Sequence, residues 1–296
     1  MGIGNLGSKL AASLVRAGFA LTVHDLDEAA AEPLVAVGAT WADSVEGLAA
    51  DADVVITCLP SPAAATAVVG GSGGILASLP SGSTWIEMST SDKHEIQRLA
   101  AIGRTRGIET LEAPVTGGVH LAATGEITVI VGGAPEVAER HDPLLAAMGK
   151  RIFYVGPLGR ASDLKVVTNM LAFIHLVACG EALALSAEAG LDLKQAWEVI
   201  AASSGTSFVH ETEGQLILNG SYDIGFTIDL ALKDLGLALQ LGRETGVPLE
   251  LASLTNDAFE RAGERYGGAA WSPMVVRLVE EAIGRELRAP GFPDHL

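Results

Sequence analysis

A proline-free run of helix formers between Gly159 and Gly190 divides this chain into halves of different grain. Before it, short apolar segments suited to strands alternate with helix-forming stretches, as a parallel sheet with helices on both faces requires. Beyond Gly190 no segment reads as a strand. Residues 193–202, 209–218, 228–245, 249–266 and 274–286 carry helical periodicity, and the tail 288–296, with two prolines and a glycine, reads as irregular. An α/β first half is therefore joined by a long helix to an all-α second half, with boundaries at 1–157, 158–190 and 191–296.

Within the first half, strands are expected at 19–23, 53–59, 84–88, 108–113, 126–131 and 151–155. Helices are expected at 63–69, at 93–106 behind the cap Ser89-Thr90-Ser91-Asp92, and at 137–148. The glycine-rich loop 70–74 lacks the Lys-Ser/Thr of a phosphate loop and reads as a connector. The N-terminus is more specific. Gly2-Ile3-Gly4-Asn5-Leu6-Gly7 is a GxGxxG run opening a helix at 8–17, and the next strand ends at His24-Asp25. In a Rossmann-type doubly wound parallel sheet such glycines bring backbone N–H groups against a pyrophosphate at a helix N-terminus. An acidic residue some 20 positions on accepts the ribose 2′-hydroxyl, and Asp25 stands at that distance. Only Met1 precedes the motif, so the first strand reads as truncated, leaving its neighbours exposed on both sides.

Charge and composition exclude several function classes. A formal net charge of -17 over 296 residues argues against nucleic acid or anionic membrane as a partner, since both require a basic surface. The 49% hydrophobic and 19% charged residues belong to a packed globular protein. Cys58 and Cys179 lie in apolar runs and read as core thiols of a reducing, cytoplasmic compartment. The N-terminus shows no signal peptide. The apolar stretch 166–185 carries Thr168, Asn169, His175 and Glu181, too many polar groups for a lipid-facing span, and reads as a buried helix of a soluble protein. The seven histidines show no metal-ligand spacing, His210-Glu211-Thr212-Glu213-Gly214 lacks the second histidine of a zinc-protease helix, and no serine sits in a GxSxG elbow.

In the dividing helix, Lys165 and Asn169 lie one turn apart on a face otherwise made of Ala172, Phe173 and Leu176. Burying an ammonium there disfavours its charged form, which makes the arrangement an expensive one. By itself the stretch favours a surface lysine at a helix start whose stem packs against the protein.

Taken together, the motifs resemble those of the β-hydroxyacid dehydrogenases, the group of 3-hydroxyisobutyrate dehydrogenase, tartronate semialdehyde reductase and 6-phosphogluconate dehydrogenase. GIGNLG is similar to the family's GLGNMG loop, Leu59-Pro60 to its strand-end LP, and Glu87-Met88-Ser89-Thr90 to its D-x-S-T. Ala113-Pro114-Val115-Thr116-Gly117-Gly118 is similar to APVSGG, and Gly159 to Lys165 followed by Asn169 to GxGxxxK…N. Phe226 and Lys233-Asp234-Leu235 resemble the C-terminal F…KDL. The chain departs from the pattern in the missing leading strand, in Ala161 for a glycine, in Thr116 for a serine and in Thr168 where asparagine is common.

The resemblance implies an oxidoreductase interconverting a small 3-hydroxy acid and its semialdehyde, with Lys165 as acid/base and Asn169 orienting lysine and substrate. It implies that Gly2, Gly4, Asn5, Leu6, Gly7, Asp25, Leu59, Pro60, Thr90 and Lys233 hold the cofactor, and that Thr116, Gly117 and Gly118 hold the substrate carboxylate. The substrate's far end would meet residues 208–215 and His120. Asp25 repels a 2′-phosphate and Leu26-Asp27 follow it with no arginine, so the cofactor expected is NAD rather than NADP. A homo-oligomer, dimer or tetramer, is also implied. Imine reductases share the architecture but usually carry Asp or Tyr at the lysine position. A decarboxylating sugar-phosphate enzyme needs an arginine cluster that the chain lacks, and a non-catalytic dinucleotide-binding module would have lost Lys165 and Asn169.

Overall fold

In the computed structural model, which describes residues 1–296, the chain divides into two compact units, Met1–Lys165 and Val166–Leu296. The boundary falls inside the unbroken helix Arg160–Glu188.

The first unit contains eight strands: β1 Thr22–Val23, β2 Thr40–Trp41, β3 Val54–Thr57, β4 Thr84–Glu87, β5 Glu109–Glu112, β6 Val115–Thr116, β7 Thr128–Gly133 and β8 Arg151–Gly156. β1 and β2 form a parallel pair of their own, and the main sheet runs β3-β4-β5-β7-β6 with β8 on the far edge of β7. Between the two sheets lie the first residues of the chain. The Met1 nitrogen donates to Ile56 O and Met1 O accepts from Cys58 N, both at 3.0 Å, while Gly2 N donates to His24 O at 3.1 Å. Met1 and Gly2 thus make ladder-like bonds to both sides where the sequence leaves no room for a strand.

The doubly wound architecture is as expected, with one addition. β5–β7 and β6–β7 pair antiparallel, whereas β3–β4, β4–β5 and β7–β8 are parallel. The connection from β6 to β7 explains it. Its one helix, Val119–Thr124, spans 6 residues, and a parallel crossover needs a dozen or more. Both faces of the sheet are covered: β4 sends Trp85 into one apolar cluster with Leu76 and Leu99, and Ile86 into another with Leu111, Val129 and Met148. The helix Lys93–Thr105 begins where Asp92 accepts from His94 N at 2.7 Å and Glu95 N at 3.2 Å.

The second unit is helical throughout. Phe173, Leu176, Cys179, Leu183 and Ala187 of the long helix pack with Ile228, Leu235, Phe259 and Ala262, from helices Ile228–Thr245 and Glu250–Tyr266. By length and composition the long helix could cross a membrane. Its burial is one-sided, since Val167, Leu171 and Leu185 are exposed, so the expectation of a buried helix holds for one face only. Two predicted helices are each divided. The segment 209–218 becomes Phe208–Glu211 and Glu213–Asn219, divided at Thr212, whose φ of -105 and ψ of -78 are distorted from the regular helix. The segment 274–286 becomes a 3₁₀ turn, Ser272–Val276, then Arg277–Ile283, which stops at Gly284 with φ +66. The irregular tail is pinned through Glu280, whose Oε1 accepts from Leu287 N at 2.8 Å and from Arg288 at 2.9 Å.

Candidate active site

The GxGxxG loop is tight on its inner side and open on its outer side. A Cβ on Gly2 would lie 2.3 Å from Cys58 O, and one on Gly7 would lie 2.1 Å from Gly2 O, so both positions exclude any side chain. Gly4 is exposed, with nothing within 4 Å of where its Cβ would stand. The helix Gly7–Arg16 that follows has no side-chain cap at Leu6; Ser8 N and Lys9 N donate instead to Gly4 O and Leu6 O, both at 3.0 Å, so the positive end of the helix faces the loop with no side chain set against it. Asp25 closes the loop from β1: Oδ2 accepts from Ile3 N at 2.7 Å, and Oδ1 from Leu26 N at 2.7 Å and Asp27 N at 3.3 Å. A backbone cradle open at Gly4, an uncapped helix start and a carboxylate at the strand end fit a dinucleotide.

Leu59 and Pro60 are set by a buried polar chain that motif matching did not reveal. Leu59 N donates to Ser89 Oγ at 2.7 Å, and Ser89 N to Glu87 Oε1 at 2.8 Å. Glu87 Oε2 accepts from Thr57 Oγ1 at 2.9 Å, which in turn accepts from Trp85 Nε1 at 2.8 Å. Glu87 therefore ties the end of β3 to the turn carrying Thr90.

At the end of β6, Thr116 is followed by Gly117 and Gly118 with φ of +123 and +90. A Cβ on Gly117 would also lie 2.9 Å from Leu121 Cδ1, so only glycine fits without strain. The His120 ring lies 3.0 Å from the Cβ position of Gly118, and burial holds its pKa below the usual histidine value. Within 208–215, Phe208 is exposed. His210 turns inward, its Nδ1 3.5 Å from Cys179 Sγ and its Nε2 3.0 Å from Trp197 O.

Lys165 is 7% exposed, which removes the reading of a surface lysine. Its helix starts against Glu112, the last residue of β5, a fully buried carboxylate. Oε1 accepts from Gly159 N at 2.7 Å and Ala161 N at 2.8 Å, and Oε2 accepts from Ser162 N at 3.3 Å and Ser162 Oγ at 2.6 Å. The sequence signal was available: an acid placed directly before Ala113-Pro114 in a strand with no solvent-facing side. One turn beyond Lys165, Asn169 Nδ2 donates to Asp234 Oδ2 at 2.5 Å, and Asp234 Oδ1 lies 2.9 Å from Lys233 Nζ. Asp234 is fully buried, so it organises two of the residues singled out by the sequence.

Residues 1–156 match the family model described as the NAD binding domain of 6-phosphogluconate dehydrogenase, and residues 159–279 match that described as NAD-binding of NADP-dependent 3-hydroxyisobutyrate dehydrogenase. The 2-(hydroxymethyl)glutarate dehydrogenase of Eubacterium barkeri is 33% identical over 287 residues, covering 96% of this chain and 95% of its own length. The mitochondrial 3-hydroxyisobutyrate dehydrogenase of Mus musculus is 32% identical over 95% of this chain and 86% of its own. Among solved structures, a 3-hydroxyisobutyrate dehydrogenase from Salmonella typhimurium superposes with a TM-score of 0.87 at 30% identity, covering 94% of this chain and 97% of that one. With both family models matched in order along one α/β scaffold, the chain belongs to the β-hydroxyacid dehydrogenases, NAD(P)-dependent oxidoreductases that act on the hydroxyl group of hydroxy acids.

Proposed function

We propose that the chain interconverts a small 3-hydroxy acid and its semialdehyde, NAD serving as cofactor and Lys165 as the acid/base. The observation that carries this reading is a buried lysine one helical turn from an asparagine whose amide is already committed to Asp234. When bound, the dinucleotide supplies the acceptor or donor of hydride. In oxidation, neutral Lys165 takes the hydroxyl proton as the carbon gives up hydride; in reduction, the Lys165 ammonium returns a proton to the developing alkoxide. Burial favours the neutral amine and a substrate carboxylate favours the ammonium, so one side chain serves both directions.

Asn169 orients the substrate oxygen toward Lys165. Backbone N–H groups at Thr116-Gly117-Gly118, with the Thr116 hydroxyl, hold the carboxylate as an anion nest does. Gly2, Gly4, Asn5, Leu6 and Gly7 hold the pyrophosphate, Asp25 the ribose, and Leu59, Pro60, Thr90 and Lys233 the rest of the dinucleotide. The relatives named for hydroxymethylglutarate, L-serine, 3-hydroxyisobutyrate and L-threonate share a carboxylate and a nearby hydroxyl, which supports this substrate class. A cytoplasmic homo-oligomer completes the reading; the exposed apolar side chains Leu185, Val199, Leu251 and Leu254 support the association alone.

A panel of small 3-hydroxy acids and semialdehydes, assayed with NAD(H) and NADP(H), tests the reaction. Lys165→Ala tests the mechanism: turnover is expected to fall roughly 10²- to 10⁴-fold with NADH still bound, and wild-type turnover in that variant rules the role out.

A further inference from the structure

The start of the Lys165 helix is capped by a strand. An ordinary helix draws its cap from the residue just before it; this one is met by Glu112, 47 residues from Gly159 in sequence. Three backbone N–H groups and one hydroxyl converge on a single buried carboxylate, all within 3.3 Å. Room for it is built into the neighbouring strand: Gly132 pairs with Glu112, and a Cβ there would lie 2.4 Å from Glu112 Oε1. The backbone N–H groups can only donate, so the arrangement favours the ionised form. Burial acts the other way and raises the carboxyl above its ordinary range.

We infer that Glu112 is a positioning residue for Lys165, holding the first turn of its helix in place and, through its charge, supporting the protonated form of the amine. This rests on the acid/base reading of Lys165. Lys165 lies four residues, or about 6 Å of rise, beyond Ala161, where a negative charge still acts through protein. It also offsets the positive end of the helix dipole, which would otherwise disfavour an ammonium in the second turn. The other charges around this turn are Glu87, paired in register with Glu112 on β4, the Lys93–Asp163 ion pair at 3.3 Å, and Arg160 at the helix start. Beyond Lys165 on the helix come Asn169 and its Asp234–Lys233 pair. All of these are retained when Glu112 alone is changed.

The experiment uses the full chain carrying Glu112→Gln, Glu112→Asp or Lys165→Ala, with the best substrate of the panel. For Glu112→Gln, NADH binding by fluorescence and KM are expected to stay within about threefold, while kcat falls about tenfold or more. Removing the negative charge lowers the lysine's proton affinity, so the amine limb of the kcat–pH profile moves down by roughly 0.5–1 unit. Glu112→Asp retains the charge and returns the limb to within roughly 0.2 unit of wild type, with only part of the turnover.

Wild-type turnover in Glu112→Gln overturns the inference, as does lost turnover with an unmoved limb, which would mark a purely structural role. Should Glu112→Gln not fold, Glu112→Asp decides: its shorter reach is expected to lower kcat about fivefold with NADH binding intact, and an undiminished kcat overturns the inference. Lys165→Ala separates the two levels. If it keeps turnover, the acid/base reading fails; if it is inactive while Glu112→Gln leaves the limb in place, only the role of Glu112 fails.

Discussion

Asn169 Nδ2 donates to Asp234 Oδ2 at 2.5 Å, and the other oxygen of that buried carboxylate lies 2.9 Å from the Lys233 ammonium. Two residues assigned separate tasks are therefore set by a third. Asp234→Ala strands a polar amide and an ammonium together, and is expected to cost about 3 kcal/mol in denaturant unfolding and roughly 10²-fold or more in kcat/KM. Asp234→Asn keeps an oxygen for Asn169 but sets an amide donor where Lys233 met an anionic oxygen, so its kcat should fall less than that of the alanine variant. Equal losses in the two variants would show that the Asn169 contact is irrelevant to turnover.

The bond from Ile3 N to Asp25 fixes the glycine loop, and discrimination between cofactors is the second task we propose for that carboxylate. Asp25→Ala removes both. The KM for NAD is expected to rise about tenfold, the worth of one charge-assisted hydrogen bond, while the KM for NADP rises less because the repulsion of its 2′-phosphate is gone. Steady-state kinetics with both cofactors check this. An unchanged NAD/NADP ratio of kcat/KM would remove Asp25 from cofactor selection.

The sequence was informative where periodicity and motif spacing coincide. The long helix, the alternation before it and the helices after it follow from local pattern, since each buries one continuous face. The break at Thr212 and the 3₁₀ turn at 272–276 were hidden, because Val209 to Leu218 and Met274 to Ile283 keep helical apolar spacing across the boundary between two elements. The antiparallel pairings of β7 were hidden too, since periodicity carries no strand direction. Within the site, the candidate residues were named from motif spacing alone. Glu87, Glu112 and Asp234 meet Thr57, Gly159 and Asn169 across 30, 47 and 65 positions, and only the tertiary structure brings these partners together.

Gly117 offers a test confined to the substrate side. At φ +123 an alanine is strained by roughly 1–2 kcal/mol, and its Cβ meets Leu121 Cδ1 at 2.9 Å. Relief requires the backbone to turn, which re-aims the N–H groups of the Thr116–Gly118 segment. Gly117→Ala should therefore raise the KM for the hydroxy acid about tenfold or more, with NADH affinity left within about twofold. Equal weakening of both ligands would point to general loosening of the sheet rather than to a carboxylate nest.

Glu213 opens the helix after the Thr212 break, and burial pushes its carboxyl up to about 8. Between the ordinary carboxyl value and that point, the unfolded chain has released a proton that the folded chain retains. Its stability contribution is therefore full below about pH 4.5 and is lost as pH rises toward about 8. The Cys179 thiol, raised to about 12 by burial and by the Glu213 charge, adds a similar loss above about pH 9. His120 and His141, both lowered by burial, act in the opposite sense near neutrality, so the informative quantity is the difference between proteins. Thermal midpoints of wild type and Glu213→Gln at pH 5, 6.5 and 8 should diverge, with the variant gaining relative to wild type as pH rises. Parallel midpoint curves would mean that Glu213 ionises normally in the folded chain, and that water reaches the start of its helix.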